Sequence, residues 1–337
     1  MRSTLRGGFA LLPVGILLFV HSSQAALVPI LDLSRLLSDS TLVVIGAVTD
    51  VVDTGASSIT HGGAQLPARA LEARVVIDQV VKGATDEQRL RIKFVVPELP
   101  AGFGHVVAST YRMLFVKATT DGYQFASPYY PAIVAVPVAL HGSTPLDRAA
   151  EAVAAVIDSN GTSLDEKVEA VRQLSTVRSP QATAVLRRLL TAQDHNVRLS
   201  GAIALVQADD AAAVAVVEEF LLRPNAGVGR DLTERARSAL MTHLTSPGAV
   251  PSLTGLLQAT DAETRRAAAS GLRHTRSAAA IRPLRTALDD TDQEVRYLAV
   301  IGLAEITGDL TAAPSETVFR QDEAPYLAYW KQKRPRL

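Results

Sequence analysis

The sequence predicts an α+β chain in two parts, a small closed or nearly closed β-barrel followed by an α-solenoid of helical hairpins. Two observations carry this. Half a dozen short runs of alternating apolar and polar residues fall within residues 26–142, the period-2 pattern of half-buried strands. Further on, a motif of helical spacing recurs with starts at 163, 194, 229, 261 and 292, separated by 31, 35, 32 and 31 residues. A fixed period in this range means stacked units that cannot bury their apolar faces alone. The division that follows is an export signal at 1–25, a β-barrel at 26–142, and a solenoid of about five units at 143–310. A C-terminal capping helix and basic tail occupy 311–337.

The N-terminus reads as an address. Arg2 and Arg6 form a basic start, Phe9 to Val20 is apolar apart from Pro13 and Gly15, and Ser23 and Ala25 supply small residues before Ala26. This is the pattern of a cleaved secretory signal, and its apolar run is short for a bilayer span. The alternative is an uncleaved N-terminal anchor. No cysteine occurs in the chain, which excludes a lipoprotein anchor, disulfides and thiolate metal sites. The expected location is therefore periplasmic or secreted. Lys plus Arg and Asp plus Glu balance at 34 each, so composition offers no basic stripe for nucleic acid.

The β part begins with a short helical pattern, Ile30–Leu31–Leu33–Leu36–Leu37, which leads into a strand-like run from Leu42 to Val52. A Gly- and Ser-rich stretch at 54–66 reads as a loop ending near Pro67. Strand-like runs then recur at Ala73–Val81, Leu90–Val96, Tyr111–Lys117, Tyr123–Ala126 and Ile133–Val136. Thr119-Thr120-Asp121-Gly122 is a hairpin turn between two of them. In their order, the segments Ser40–Val48, Arg74–Gly83 and Tyr111–Phe115 resemble the OB-like barrel of netrin and tissue-inhibitor-of-metalloproteinase modules. The resemblance implies an OB-like fold. Those modules inhibit metalloproteases through an N-terminal cysteine, which this chain lacks, so the inhibitory chemistry is not carried over.

The solenoid motif is Asp194–Val197–Arg198–Gly201–Ala204–Leu205, then Asp261–Thr264–Arg265–Ala268–Gly271–Leu272, then Asp292–Val295–Arg296–Ala299–Gly302–Leu303. Worn copies end in Leu174 and Leu240. Each Asp stands before an apolar helical run, where a carboxylate caps free backbone N–H groups. The Arg four residues on is placed to pair with that carboxylate or with the Asp of a neighbouring unit. Small residues admit a second helix. Turns follow at Ser179-Pro180, Ala208-Asp209-Asp210, Ser246-Pro247-Gly248 and Thr275-Arg276-Ser277, each leading to a second amphipathic run such as Ile281–Leu284–Leu288. Over residues 145–310 this pattern resembles the HEAT repeat family, in its short bacterial form. The resemblance implies a structural ladder of Asp194, Arg198, Asp261, Arg265, Asp292 and Arg296, interrupted at the copies that start at 163 and 229.

Catalytic chemistry finds no foothold. The histidines form no H-x-x-x-H or H-E-x-x-H pair. The acidic run Asp289–Glu294 lacks the Gly turn and distal Glu of an EF-hand loop. There is no nucleophile elbow, P-loop or dinucleotide fingerprint, so no enzyme, cofactor or metal is expected. Binding is the better reading. Arg187, Arg188, Glu218, Glu219, Arg282 and Arg285 fall on the polar faces of second helices, where a solenoid meets partners; solvated faces would have the same residues. Tyr326, Leu327, Tyr329 and Trp330 read as a cap over the last apolar edge. The function expected is an exported, non-enzymatic scaffold that binds a protein partner through the solenoid. One alternative is ligand binding or protease inhibition through the barrel. Another is an enzyme of the phycobilin lyase type, which the HEAT-like resemblance allows and the export signal and β part oppose.

Overall fold

The computed structural model describes residues 31–61, 63–98, 103–223 and 227–333. The export signal, its cleavage site at Ala26 and the last basic residues, Arg334 and Arg336, lie outside them. A short helix α1 (Leu33–Asp39) is capped by the Asp32 carboxylate, which accepts from the Arg35 amide. It feeds a six-stranded sheet: β1 (Leu42–His61), β2 (Ala64–Lys82), β3 (Arg89–Pro97), β4 (Thr110–Thr119), β5 (Gly122–Phe125) and β6 (Ala132–Val134). The strand order is β1-β2-β3-β5-β4-β6, and β1 pairs with β4 as well as with β2. Pairing thus runs β1–β2–β3–β5–β4 and back to β1. All pairs are antiparallel except β3 with β5, which is parallel and covers only Ile92–Tyr123 and Lys93–Gln124.

Alternation sorts the apolar side chains onto two faces. On β1 and β4, Leu42, Val44, Leu114 and Val116 join Leu90, Ile92, Ala73 and Val75 in one cluster within the sheet. Their neighbours Val43, Ile45, Met113 and Phe115 point the other way, into a cluster shared with the helices. That second cluster also holds Leu33, Leu36 and Leu37 of α1, and it continues without a break into the repeats.

The predicted loop at 54–66 is a correction. β1 runs on to His61 and pairs residue by residue with β2, including Ser57 with Ala68, Ile59 with Leu66 and His61 with Ala64. Between its bulges the arm is held by a neighbouring backbone, not by local strand propensity, and its small residues hide the alternation.

Thirteen helices in all are described. The first after the sheet is α2 (Pro145–Asp158), where Thr144 and Asp147 form a capping box and Pro145 takes the first turn. The repeats follow as helix pairs: α3 (Leu164–Ser175) with α4 (Pro180–Leu189), α5 (His195–Gln207) with α6 (Val214–Leu221), and α7 (Arg230–Thr242) with α8 (Val250–Leu256). Next come α9 (Ala262–His274) with α10 (Ile281–Ala287), then α11 (Gln293–Thr307), α12 (Glu316–Gln321) and α13 (Ala324–Gln332). A 3-10 turn leads into α6, α8 and α10 alike. First helices pack on first helices along α3, α5, α7, α9 and α11, and each second helix packs against the first helix that follows it, α4 on α5, α6 on α7, α8 on α9 and α10 on α11. At the end of the stack two short helices stand where one capping helix was expected. Phe319 and Trp330 are buried there, and the Trp330 indole N–H donates to the Ala312 carbonyl at 3.2 Å.

The β part and the repeats are joined by polar contacts too. The Leu33 amide donates to Thr176 Oγ1 at 3.0 Å. Arg148 Nε of α2 donates to the Val81 carbonyl at 2.9 Å. Within the β part, Lys82 Nζ of β2 reaches the carbonyls of Leu37 in α1 at 2.6 Å and of Ser40 at 2.7 Å.

Candidate partner-binding surface

The repeat caps form as local sequence dictates. Asp194, Asp261 and Asp292 each accept from backbone amides two and three residues on, which closes the open start of α5, α9 and α11. Ser163 replaces Asp at α3 and makes a capping box with Glu166, whereas Gly229 gives α7 no side-chain cap.

The arginines pair differently from the expected ladder, and none of the six ladder residues forms a salt bridge with another. Arg265 Nε lies 2.8 Å from Asp290 Oδ2 and its Nη2 lies 3.0 Å from Oδ1, while Nη1 donates to the carbonyls of Ala259 and Thr260. Arg296 makes the same two-point grip on Glu323 and donates to the Asp290 carbonyl at 2.7 Å. Arg198 pairs with Glu219 and lies over the Phe220 ring. The cap carboxylates are instead met by arginines from the preceding unit: Arg237 with Asp261 at 2.6 Å and Arg266 with Asp292 at 2.6 Å. Asp194 forms no salt bridge among the described residues. The reason is geometric. A cap carboxylate is already turned toward its own amides, so the Arg one turn into the same helix reaches the loop ahead, where Asp290 sits.

This arrangement shifts acidities. The Arg266 guanidinium is the main reason the Asp292 carboxyl is held down at about 2. Burial pushes Asp261 up, but hydrogen bonds from Thr264 and the charge of Arg237 outweigh it and leave that carboxyl lowered. Glu305 is lowered chiefly by its hydrogen bond with Arg273, an α9–α11 pair at 2.6 Å. Arg237, Arg266, Arg273 and Glu305 are not among the residues the sequence pointed to, and Asp290 stood there only within the acidic run. The Arg265-Arg266 doublet was the one signal for them.

Four of the six residues expected to face a partner also make polar contacts within the chain. Arg187 lies 2.8 Å from Asp210, and Arg188 lies 2.7 Å from Asp158, so α4 is tied to the units on both sides. Glu219 is taken by Arg198. Arg285 donates to the Lys331 carbonyl at 3.1 Å. Glu218 lays its carboxyl against Gly255. Arg282 is exposed and has neither an ion pair nor a side-chain hydrogen bond among the described residues.

The β part carries a cleft of about 580 Å³ where β3 and β5 part. Its apolar lining includes Ile59, Leu71, Phe94, Phe125, Pro128 and Pro131, with Phe94 and Phe125 edge to face at 5.2 Å. Among the described residues no group of three or more His, Asp and Glu side chains is placed to hold a metal. No helix of the described residues is long and apolar enough to cross a membrane.

None of the curated proteins matches the chain. Solved structures overlap about half of the chain. One engineered protein is 22% identical over 53% of this chain and 93% of its own, with a TM-score of 0.32. A second engineered protein is 21% identical over 56% of this chain and 64% of its own, with a TM-score of 0.36. The complex of CpcE and CpcF of phycocyanin lyase from Nostoc is 17% identical, covering 54% of this chain and 80% of that one, with a TM-score of 0.30. At such scores none of these bears on what this chain binds. The family model for HEAT repeats matches residues 153–240 and 234–304. Residues 153–304 are thus HEAT repeats, and a β region precedes them in the chain.

Proposed function

We propose that the chain is an exported, non-enzymatic scaffold that grips a protein partner along the second helices of its repeats, with the β part as a second binding module. The observation that carries the reading is a division of charge. The pairs made by Arg237 and Arg266 bind one unit to the next, whereas Arg282 stands exposed on α10 without an ion pair among the described residues. Solenoids offer partners the extended surface their stacked helices form, and Arg282 lies exposed on a second helix of this stack. Export rests on the Arg2–Ala26 pattern alone. The ring of pairings with its parallel β3–β5 step supports an OB-like barrel.

Crosslinked capture from the exported fraction tests the partner reading. Arg282→Glu with Arg285→Glu should lose captured protein while remaining folded. Unchanged capture by the folded double variant would sink it. Mass spectrometry of the exported chain should find a start at Ala26; an intact Met1 would favour an anchored form. The apolar cleft favours a second reading, in which the β part itself binds a ligand.

A further inference from the structure

β3 is paired along its whole length on one side only. Phe94–Pro97 lie against Leu71–Ala68 of β2. On the other side the register with β5 stops at Lys93, and β5 itself ends at Phe125. In an antiparallel pair every second residue turns its N–H and C=O away from the partner strand. The Glu98 amide bonds to the Pro67 carbonyl of β2, so in this stretch Val95 turns its N–H and C=O, and Pro97 its C=O, toward the gap that β5 vacates. That gap is the 580 Å³ cleft, since Lys93, Phe94 and Val95 form one wall and Gln124, Phe125, Ser127 and Pro128 the other. The β1–β2 arm closes one side with Thr54, Ile59 and Leu71.

A free strand edge and an apolar cleft make different demands on an occupant. The edge asks for a donor and an acceptor at a two-residue repeat, and the cleft asks for apolar side chains. A compact apolar molecule meets only the second demand. An extended peptide meets both, because its backbone pairs while alternate side chains turn to one face. We propose that the cleft is a strand-addition site, and that its occupant is an extended segment of a partner protein with apolar side chains at alternate positions. The peptide takes the place beside β3 that the chain leaves after Phe125. The proposal rests on the reading of the chain as a protein-binding scaffold, but it uses a surface separate from the second helices.

The probe is a short labelled peptide alternating valine and threonine, with lysine at each end. Its control is the same peptide N-methylated at alternate residues, which keeps the side chains and removes the backbone donors. The full chain should bind the first peptide saturably and the second at least about tenfold more weakly. Bound peptide should slow exchange of the Val95 amide, the N–H of this stretch that faces the gap. Thr54 is an exposed residue of the cleft wall, so Thr54→Trp should fill the cleft without unfolding the protein and weaken binding about tenfold or more. Thr60→Trp, exposed on the same arm outside the cleft, should bind as the natural chain does. Equal binding of both peptides, no saturable binding, or indifference to Thr54→Trp would each overturn the proposal. Arg282→Glu with Arg285→Glu should leave peptide binding intact. If that variant loses capture but still binds peptide, the two surfaces stand independently. If peptide binding fails while capture persists, only the cleft proposal falls.

Discussion

Arg265, near the start of α9, holds Asp290 in the loop that leads from α10 into α11, with two nitrogen–oxygen contacts of 2.8 and 3.0 Å. Only 12% of one side chain and 10% of the other remain exposed. A two-point pair of this kind fixes angle as well as distance, and Arg265 also satisfies two carbonyls of its own loop, at Ala259 and Thr260. The start of α9 and the loop after α10 are thereby held in one geometry.

Removing the arginine should therefore cost more than one surface ion pair. Arg265→Ala leaves Asp290 largely buried and unpaired, and we expect a loss of about 2–4 kcal/mol in denaturant unfolding. Arg230, whose side chain is 93% exposed beside Glu234, is the control, and Arg230→Ala should cost less than about 0.5 kcal/mol. Equal effects from the two would show that Arg265 does no more than a solvated side chain.

Acid should loosen the boundary between two repeats in a defined window. The folded-state pKa of Asp292 is about 2, mainly through Arg266, against an ordinary value of about 4. Folding favours the carboxylate, so this stabilisation is complete above about pH 4 and is lost as the pH falls toward 2. In Arg266→Ala the Asp292 carboxyl should move back up, and the dependence of stability on pH between about 4 and 2 should flatten. Urea midpoints at stepped pH report it. A slope unchanged from the natural chain would mean that Arg266 does not set this acidity.

Close approach of the helices supplies a third test. A Cβ on Gly271 would lie 2.9 Å from Leu253 Cδ2 and 3.1 Å from the Leu240 carbonyl oxygen. Gly302 is similar, 2.9 Å from Leu284 Cδ1. Glycine in a helix interior ordinarily lowers stability relative to alanine by about 1 kcal/mol, so a neutral site would gain from substitution. Here Gly271→Val should lose about 1–3 kcal/mol through overpacking. A rise in melting temperature would show that the second helix yields.

The parts of this fold that were legible in the sequence are the local ones. Asp194, Asp261 and Asp292 announce their helices because a cap and its amides lie within three residues of one another. The identity of Arg265's partner was not legible. Asp290 lies 25 residues ahead in a loop, and the repeat period locates equivalent positions without saying which acid a long side chain will reach. The same limit explains the misread arm. Gly55, Ser57 and Ser58 have weak strand preference, and what makes them a strand is β2 lying alongside. Gly271 and Gly302 stood in the motif as small residues, but the leucines that require them come from the second helices. The Phe94–Phe125 cleft had no local signature, since its walls are brought together only by the parallel meeting of β3 and β5.

The boundary between the β part and the repeats yields the last prediction. Sequence composition places a break at 142, whereas the apolar cluster runs from Val43, Ile45 and Phe115 through α1 into Val153, Val171 and Leu174. Helix α1 touches both sides, since it packs on β4 and α2 and its Leu33 amide is bonded to Thr176 at the end of α3. Leu36 is 6% exposed there. Leu36→Ala should lose about 2–4 kcal/mol through the cavity it leaves. Hydrogen exchange should then speed up in β1 and β4 and also in α3, because opening α1 uncovers apolar surface on both sides at once. Acceleration confined to the strands would mean that the repeats hold α2 and α3 in place without help, and that the shared cluster is a contact between two independent cores.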